Sequence, residues 1–169
     1  MKTLDRKELK ELLVKCWMTN DGLWFYHSVQ EVGIEKTSRI NQAAARAIGA
    51  IEAKRIARAL GVQRIDTFGD LRELMQSGFD VIRGDFMGFS YDWSKENRLH
   101  VKTNRCFAYE GIKKIGEDAI GGYDCGIFAR VSGWFDGLGI RYEVDPPLKG
   151  CMLHREGSCH RDFTFSFSA

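Results

Sequence analysis

At Gly84 the hydrophobic pattern of this chain changes its period, and that change limits the fold more than any other feature. Before it, apolar residues recur at helical spacing. Leu4, Leu9, Leu12 and Leu13 do so among charges over residues 4–16. Asn20 and Asp21, both good N-cap residues, predict a fresh helix over 23–32 that ends at Gly33. Thr37 and Ser38 open a long third segment, stopped by Gly61 after Leu60. Its apolar or small positions are Ile40, Ala44, Ala47, Ile48, Ile51 and Leu60, with Arg39, Arg46, Lys54 and Arg58 elsewhere. Asp66 or Thr67 starts a fourth helix that runs to about Arg83.

Beyond Gly84 short alternating runs take over. Residues 86–93 and 98–104 read as strands joined by the polar turn 94–97. Residues 106–115 favour helix, broken by Gly121-Gly122. A further helix over 126–138 ends at Gly139, and 140–144 alternates as a strand before Pro146-Pro147. Phe163, Phe165 and Phe167 against Thr164, Ser166 and Ser168 give a final strand whose rings face a core or a pocket. The expected fold is α+β, with a helical region over 1–84 followed by a small antiparallel-sheet domain with packed helices over 85–169. At 169 residues the two can form one compact unit that buries roughly two thirds of its unfolded surface.

Several function classes are set aside by what is missing. The first residues alternate charge and leucine without an apolar stretch, so no signal peptide is expected. No run approaches the length of a membrane span. The arginines of 37–60 are spread around their helix, so no nucleic-acid face is expected. The glycine-rich stretch 116–126 has neither the lysine-threonine pair of a phosphate loop nor dinucleotide-binding spacing.

Five cysteines without a secretory signal point to a reducing, cytoplasmic setting, where clustered cysteines are metal ligands or reactive thiols more often than disulfides. Cys16 stands alone. Cys151 and Cys159 flank seven residues that include Gly157, a spacing that suits a tight reversal between strands. Cys125 precedes one predicted helix and Cys106 another, where backbone N–H groups favour thiolate. A tetrahedral zinc would take four such groups, and Arg105, Lys149, Arg155, His160 and Arg161 lie near enough in sequence to offset its thiolate charge. The intervals match no zinc finger. On spacing alone, separate small core thiols, a disulfide or a catalytic thiol stay open.

The stretch from Cys151 to Phe167 resembles the closing motif of the 4-vinyl-reductase domain, a small-molecule-binding α+β module also used as a sensor in aromatic-responsive regulators. The likeness lies in Cys151, Gly157, Cys159 and the phenylalanine-rich strand, with Cys125 at the place of a further upstream cysteine. It implies a structural zinc on Cys125, Cys151 and Cys159. The family's fourth ligand is acidic, and this chain has Leu148 there. Cys106 is then the first choice for that place, with His154, Asp145 or a water as alternatives. Over its whole length, including 16–27 and 106–109, the chain is also similar to an uncharacterised prokaryotic family distantly related to the L-2-amino-thiazoline-4-carboxylate hydrolases. That likeness implies an alternative, a hydrolase acting on a small cyclic C–N substrate.

The aromatic patch of 16–27 offers Trp24 as a wall and His27 as a polar anchor for an apolar ligand, or it packs on the sheet or on a dimer partner. By analogy with the sensors, Phe128, Trp134 and Phe165 would line such a cavity, although each alone also suits ordinary core packing. His100 alternates with Leu99 and Val101 and is expected to face solvent. The reading that follows is a zinc-containing domain that binds a small apolar or aromatic molecule, as a homodimer joined through its N-terminal helices.

Overall fold

The computed structural model describes residues 2–167, Asn104 through its backbone alone; Ser168 of the final alternation lies outside the described residues. The chain is α+β. Three helices, α1 (Arg6–Val32), α2 (Ile34–Ala59) and α3 (Phe68–Ile82), precede strands β1 (Gly88–Asp92) and β2 (Arg98–Arg105). Then come α4 (Phe107–Lys113), α5 (Glu117–Gly121), α6 (Gly126–Leu138), β3 (Arg141–Asp145), α7 (Met152–Glu156) and β4 (Cys159–Ser166).

Contrary to expectation, α1 runs unbroken through Asn20 and Asp21 and does not stop and restart there. A capping box starts it, with the Glu8 amide donating to the Asp5 carboxylate at 2.8 Å and the Asp5 amide to Glu8 at 3.0 Å. Two poor helix formers in its middle cost only about 0.5 kcal/mol each, less than packing returns. Gly33, at φ 77°, makes the turn into α2 directly, so Thr37 and Ser38 are buried helix residues rather than caps. Thr67 does cap α3, through a second box with Asp70.

The strands form an antiparallel sheet in the order β1-β2-β4-β3. Leu99 and Val101 of β2 and Phe163 and Phe165 of β4 all point to one face and are buried. There they meet Leu71, Leu74 and Met75 of α3 and Phe128, Trp134 and Phe135 of α6. Each such side chain contributes roughly 1.5–3 kcal/mol when fully buried.

α6 reaches that position by lying against α2 almost backbone to backbone. A Cβ on Gly133 would stand 2.0 Å from the Arg46 carbonyl oxygen, and one on Gly49 only 2.1 Å from that of Arg130. The buried face of α2 is therefore Gly49, Glu52, Ala53, Ile56 and Ala57, while Ile40 and Ile51 face outward. Among the described residues no helix is long and apolar enough to cross a membrane.

Candidate thiol centre and apolar cavity

The topology carries four cysteines to one end of the sheet. β2 ends at Arg105, so Cys106 follows it directly as the N-cap of α4. Its sulfur accepts from the Tyr109 amide at 3.5 Å. β4 begins at Cys159, in register with Thr103 of β2. Cys125 and Cys151 are the N-caps of α6 and α7. Their loops are tied together, since the Gly150 amide donates to the Asp124 carboxylate at 2.7 Å and the Asp124 amide to the Ser38 hydroxyl at 2.7 Å. The segment between Cys151 and Cys159 is not the strand-to-strand reversal expected; it is the short α7, ended by Gly157 at φ 70°.

The four thiols share one electrostatic neighbourhood. Cys106 is affected by Cys151 and Cys159, Cys125 by Cys106 and Cys159, and Cys159 by Cys151. Burial pushes the Cys106 thiol up to about 11 and the Cys125 thiol up to about 12. Cys159 is raised for the same reason, with Arg161 pulling it down. Burial also holds the Tyr123 hydroxyl well above its ordinary range, beside Cys125. Among the described residues, no three His, Cys, Asp or Glu side chains are drawn to metal-ligating distance of one point.

Arg161 stands out in this neighbourhood. β4 alternation sends it inward between Cys159 and Phe163, and it is 1% exposed. Its guanidinium lies 5.3 Å from the centre of the Phe128 ring and donates to the His160 carbonyl at 2.6 Å and the Met152 sulfur at 2.8 Å. No carboxylate reaches it among the described residues, and its Nε has no partner. A buried cation of this kind requires an anion nearby or a heavy desolvation cost.

The alternative fourth ligands are placed elsewhere. His154 faces Glu117 at 3.6 Å, Asp145 is exposed at the end of β3, and Leu148 packs at the edge of the main core. On the opposite face of the sheet, His100 accepts or donates at 2.7 Å to Asp162, which also binds Arg98.

On the other side of α6, a cavity of about 810 Å³ opens between α1, α2, α4 and α6. Phe25 and Tyr26 of α1, Ile48 of α2, Phe107 and Ile112 of α4 and Ile127 of α6 make it mainly apolar. Asp21, Asn41, Lys114 and Arg130 supply polar groups to its lining. Partial burial raises the Asp21 carboxyl, opposed by the Arg130 charge. Arg130 itself lies 4.4 Å over the Trp17 ring and donates to Glu52 at 2.8 Å, 78 residues away in sequence.

The five residues expected to line a ligand site are distributed differently. Trp24 is 71% exposed and His27 is exposed, both on α1 but turned away from this cavity. Phe128 and Trp134 are core residues that border a smaller cleft of about 70 Å³ beneath β1 and α3. Phe165 is buried against Phe68 and Phe135. The space between α6 and the sheet is thus largely occupied by aromatic rings, leaving only that small cleft. Sequence reasoning missed the cavity because its wall is assembled from four separated helices; only the α1 aromatic cluster carried a signal for it.

Residues 2–81 match the profile of a family of unknown function (DUF6125). The match covers α1, α2 and nearly all of α3, so it includes the two helices, α1 and α2, that form one wall of the cavity, and it ends before the four clustered cysteines. No curated protein and no solved structure matches the chain.

Proposed function

We propose that this chain is a cytoplasmic small-molecule-binding or sensory domain that takes a small apolar or aromatic molecule into the cavity between α1, α2, α4 and α6. The cavity carries the reading. Its volume of about 810 Å³ falls in the range of small-molecule sites, roughly 300–1,000 Å³, and its mainly apolar wall carries a few polar groups. Such a lining favours a flat hydrophobic ligand with one polar end.

Zinc belongs to the same reading, on Cys106, Cys125, Cys151 and Cys159. Four thiolates around zinc carry a formal charge near −2, and the Arg161 guanidinium is a buried cation that lacks a carboxylate. The negative charge of such a donor set would complement the Arg161 guanidinium, whose partners are otherwise two backbone carbonyls, the Met152 sulfur and the Phe128 ring. When bound, the metal would pin the starts of α4, α6 and α7 to the start of β4, adding folding energy rather than chemistry. That would stiffen two of the helices, α4 and α6, that line the cavity. The hydrolase alternative would use a cysteine nucleophile with a base beside it, or a water held in an open zinc position; among the described residues no histidine hydrogen-bonds to a cysteine, which favours the binding role over the first route. Self-association through α1 completes the proposal.

Native mass spectrometry joined to elemental analysis tests it. One zinc per chain and a co-purified organic mass, or stoichiometric uptake of an aromatic probe, are expected. A protein that retains no zinc after loading and takes up no probe would overturn the reading.

A further inference from the structure

The outer face of α1 carries a second apolar stripe that stays exposed in the monomer and borders the cavity at Leu23. Leu9, Leu13, Cys16, Asn20, Leu23 and His27 follow each other at alternating intervals of four and three, the spacing of a coiled-coil seam. All six are exposed, Leu13 by 59% and Leu23 by 54%. Val14 and Phe25, on the opposite face, are the residues α1 buries in its own chain. The helix is thus apolar on two sides, with one side used. No Lys, Arg, Asp or Glu falls on the seam.

We infer that α1 pairs in parallel and in register with α1 of a second copy, an inference that rests on the self-association proposed above and gives it a geometry. Three observations favour an identical helix as the occupant. First, a seam of alternating four and three residues fits a copy of itself, knob into hole, over about 27 Å. Second, the area is adequate. Leu9, Leu12, Leu13, Leu23 and Trp24, on and beside the seam, are 47–71% exposed. Covering them removes surface on the order of 550 Å² per chain, about 1,100 Å² for the pair, which clears the roughly 1,000 Å² that a specific interface needs. Third, the one amide on the seam selects the direction. In parallel register Asn20 meets Asn20 of the copy and the two amides hydrogen-bond; antiparallel pairing sets Asn20 against Cys16 and leaves both amides without a match. Because the chain's own packing already holds α1 as a helix, pairing does not have to order it.

Parallel register also brings Cys16 beside Cys16 of the copy, which makes the inference testable. Sedimentation of the full chain under reducing conditions, at tens of micromolar, is expected to give twice the 19.3 kDa chain mass. Mild oxidation with diamide, which takes up the two thiol hydrogens, is expected to give a covalent dimer that Cys16→Ser abolishes. The double variant Leu9→Asp/Leu13→Asp, at two exposed positions outside the cavity, is expected to halve the mass while leaving the far-ultraviolet circular dichroism unchanged. A wild-type monomer would overturn self-association altogether. A wild-type dimer without Cys16-dependent cross-linking would overturn the parallel register alone, because antiparallel pairing separates the two Cys16 Cα atoms by more than the roughly 7 Å a disulfide can bridge.

Discussion

Glu52 of α2 and Arg130 of α6 form a bidentate ion pair in the wall that separates the hydrophobic core from the cavity. The side chains are 10% and 17% exposed, and the Trp134 indole donates to the same carboxylate at 3.2 Å. Removing one partner strands the other charge. Glu52→Ala is therefore expected to lose about 3–5 kcal/mol of stability in urea unfolding. The double variant Glu52→Leu/Arg130→Met is expected to recover most of that loss, since an apolar pair of similar volume costs little there. Equal losses in both variants would show that the pair's charges are not the issue.

The glycine contacts of α2 with α6 give a second expectation. Gly133→Ala places a methyl 2.0 Å from a backbone oxygen that cannot move without shifting a helix. A loss of at least 2 kcal/mol, roughly the cost of overpacking, is expected from its melting curve. Gly22→Ala is the counterpart, with nothing within 4 Å in the middle of α1, and should gain up to about 1 kcal/mol.

Asp162 supplies a pH dependence. The Arg98 guanidinium, helped by His100, holds its carboxyl below the usual aspartate range. A carboxyl depressed in the folded chain contributes stability above its unfolded value, near pH 4, and loses it as pH falls through the folded value. Asp162→Asn should therefore be less stable than the wild type at pH 6, with the gap closing toward pH 2. A gap that stays constant over that range would show that the ion pair contributes nothing through protonation.

For the thiol centre the sharpest variant is Arg161→Met. It fills the same inward position on β4 but removes the cation that the proposed thiolates would need. Zinc should be lost to a chelator at least tenfold more readily than from the wild type, read from metal retained after dialysis. Retention equal to the wild type would separate Arg161 from the metal.

Local chemistry made part of this architecture readable in the sequence. Gly126 to Leu138 ends at Gly139 because a left-handed glycine stops a helix there, and the alternation from Cys159 to Ser166 has the period of the pleat itself. The α+β organisation followed from those signals. Asn20 and Asp21 misled because capping preference is worth less than the packing of Val14 and Phe25 on either side. The four cysteines could be nominated from spacing and likeness, but not Arg161 as their buried neighbour, which depends on the register of β4 with β2. The cavity was the least legible part. Glu52 to Arg130 and Tyr26 to Phe107 are relationships between residues about eighty apart, and no local periodicity encodes them.

The cavity is proposed to bind an apolar aromatic molecule. Titration of the purified protein with the fluorophore N-phenyl-1-naphthylamine tests it most directly, comparing the wild type with Ala44→Trp, which fills the cavity from an exposed position on α2. Saturable binding of one fluorophore per chain, weakened at least tenfold by Ala44→Trp, is the expected result. Binding that does not saturate, or that Ala44→Trp leaves unchanged, would contradict the claim.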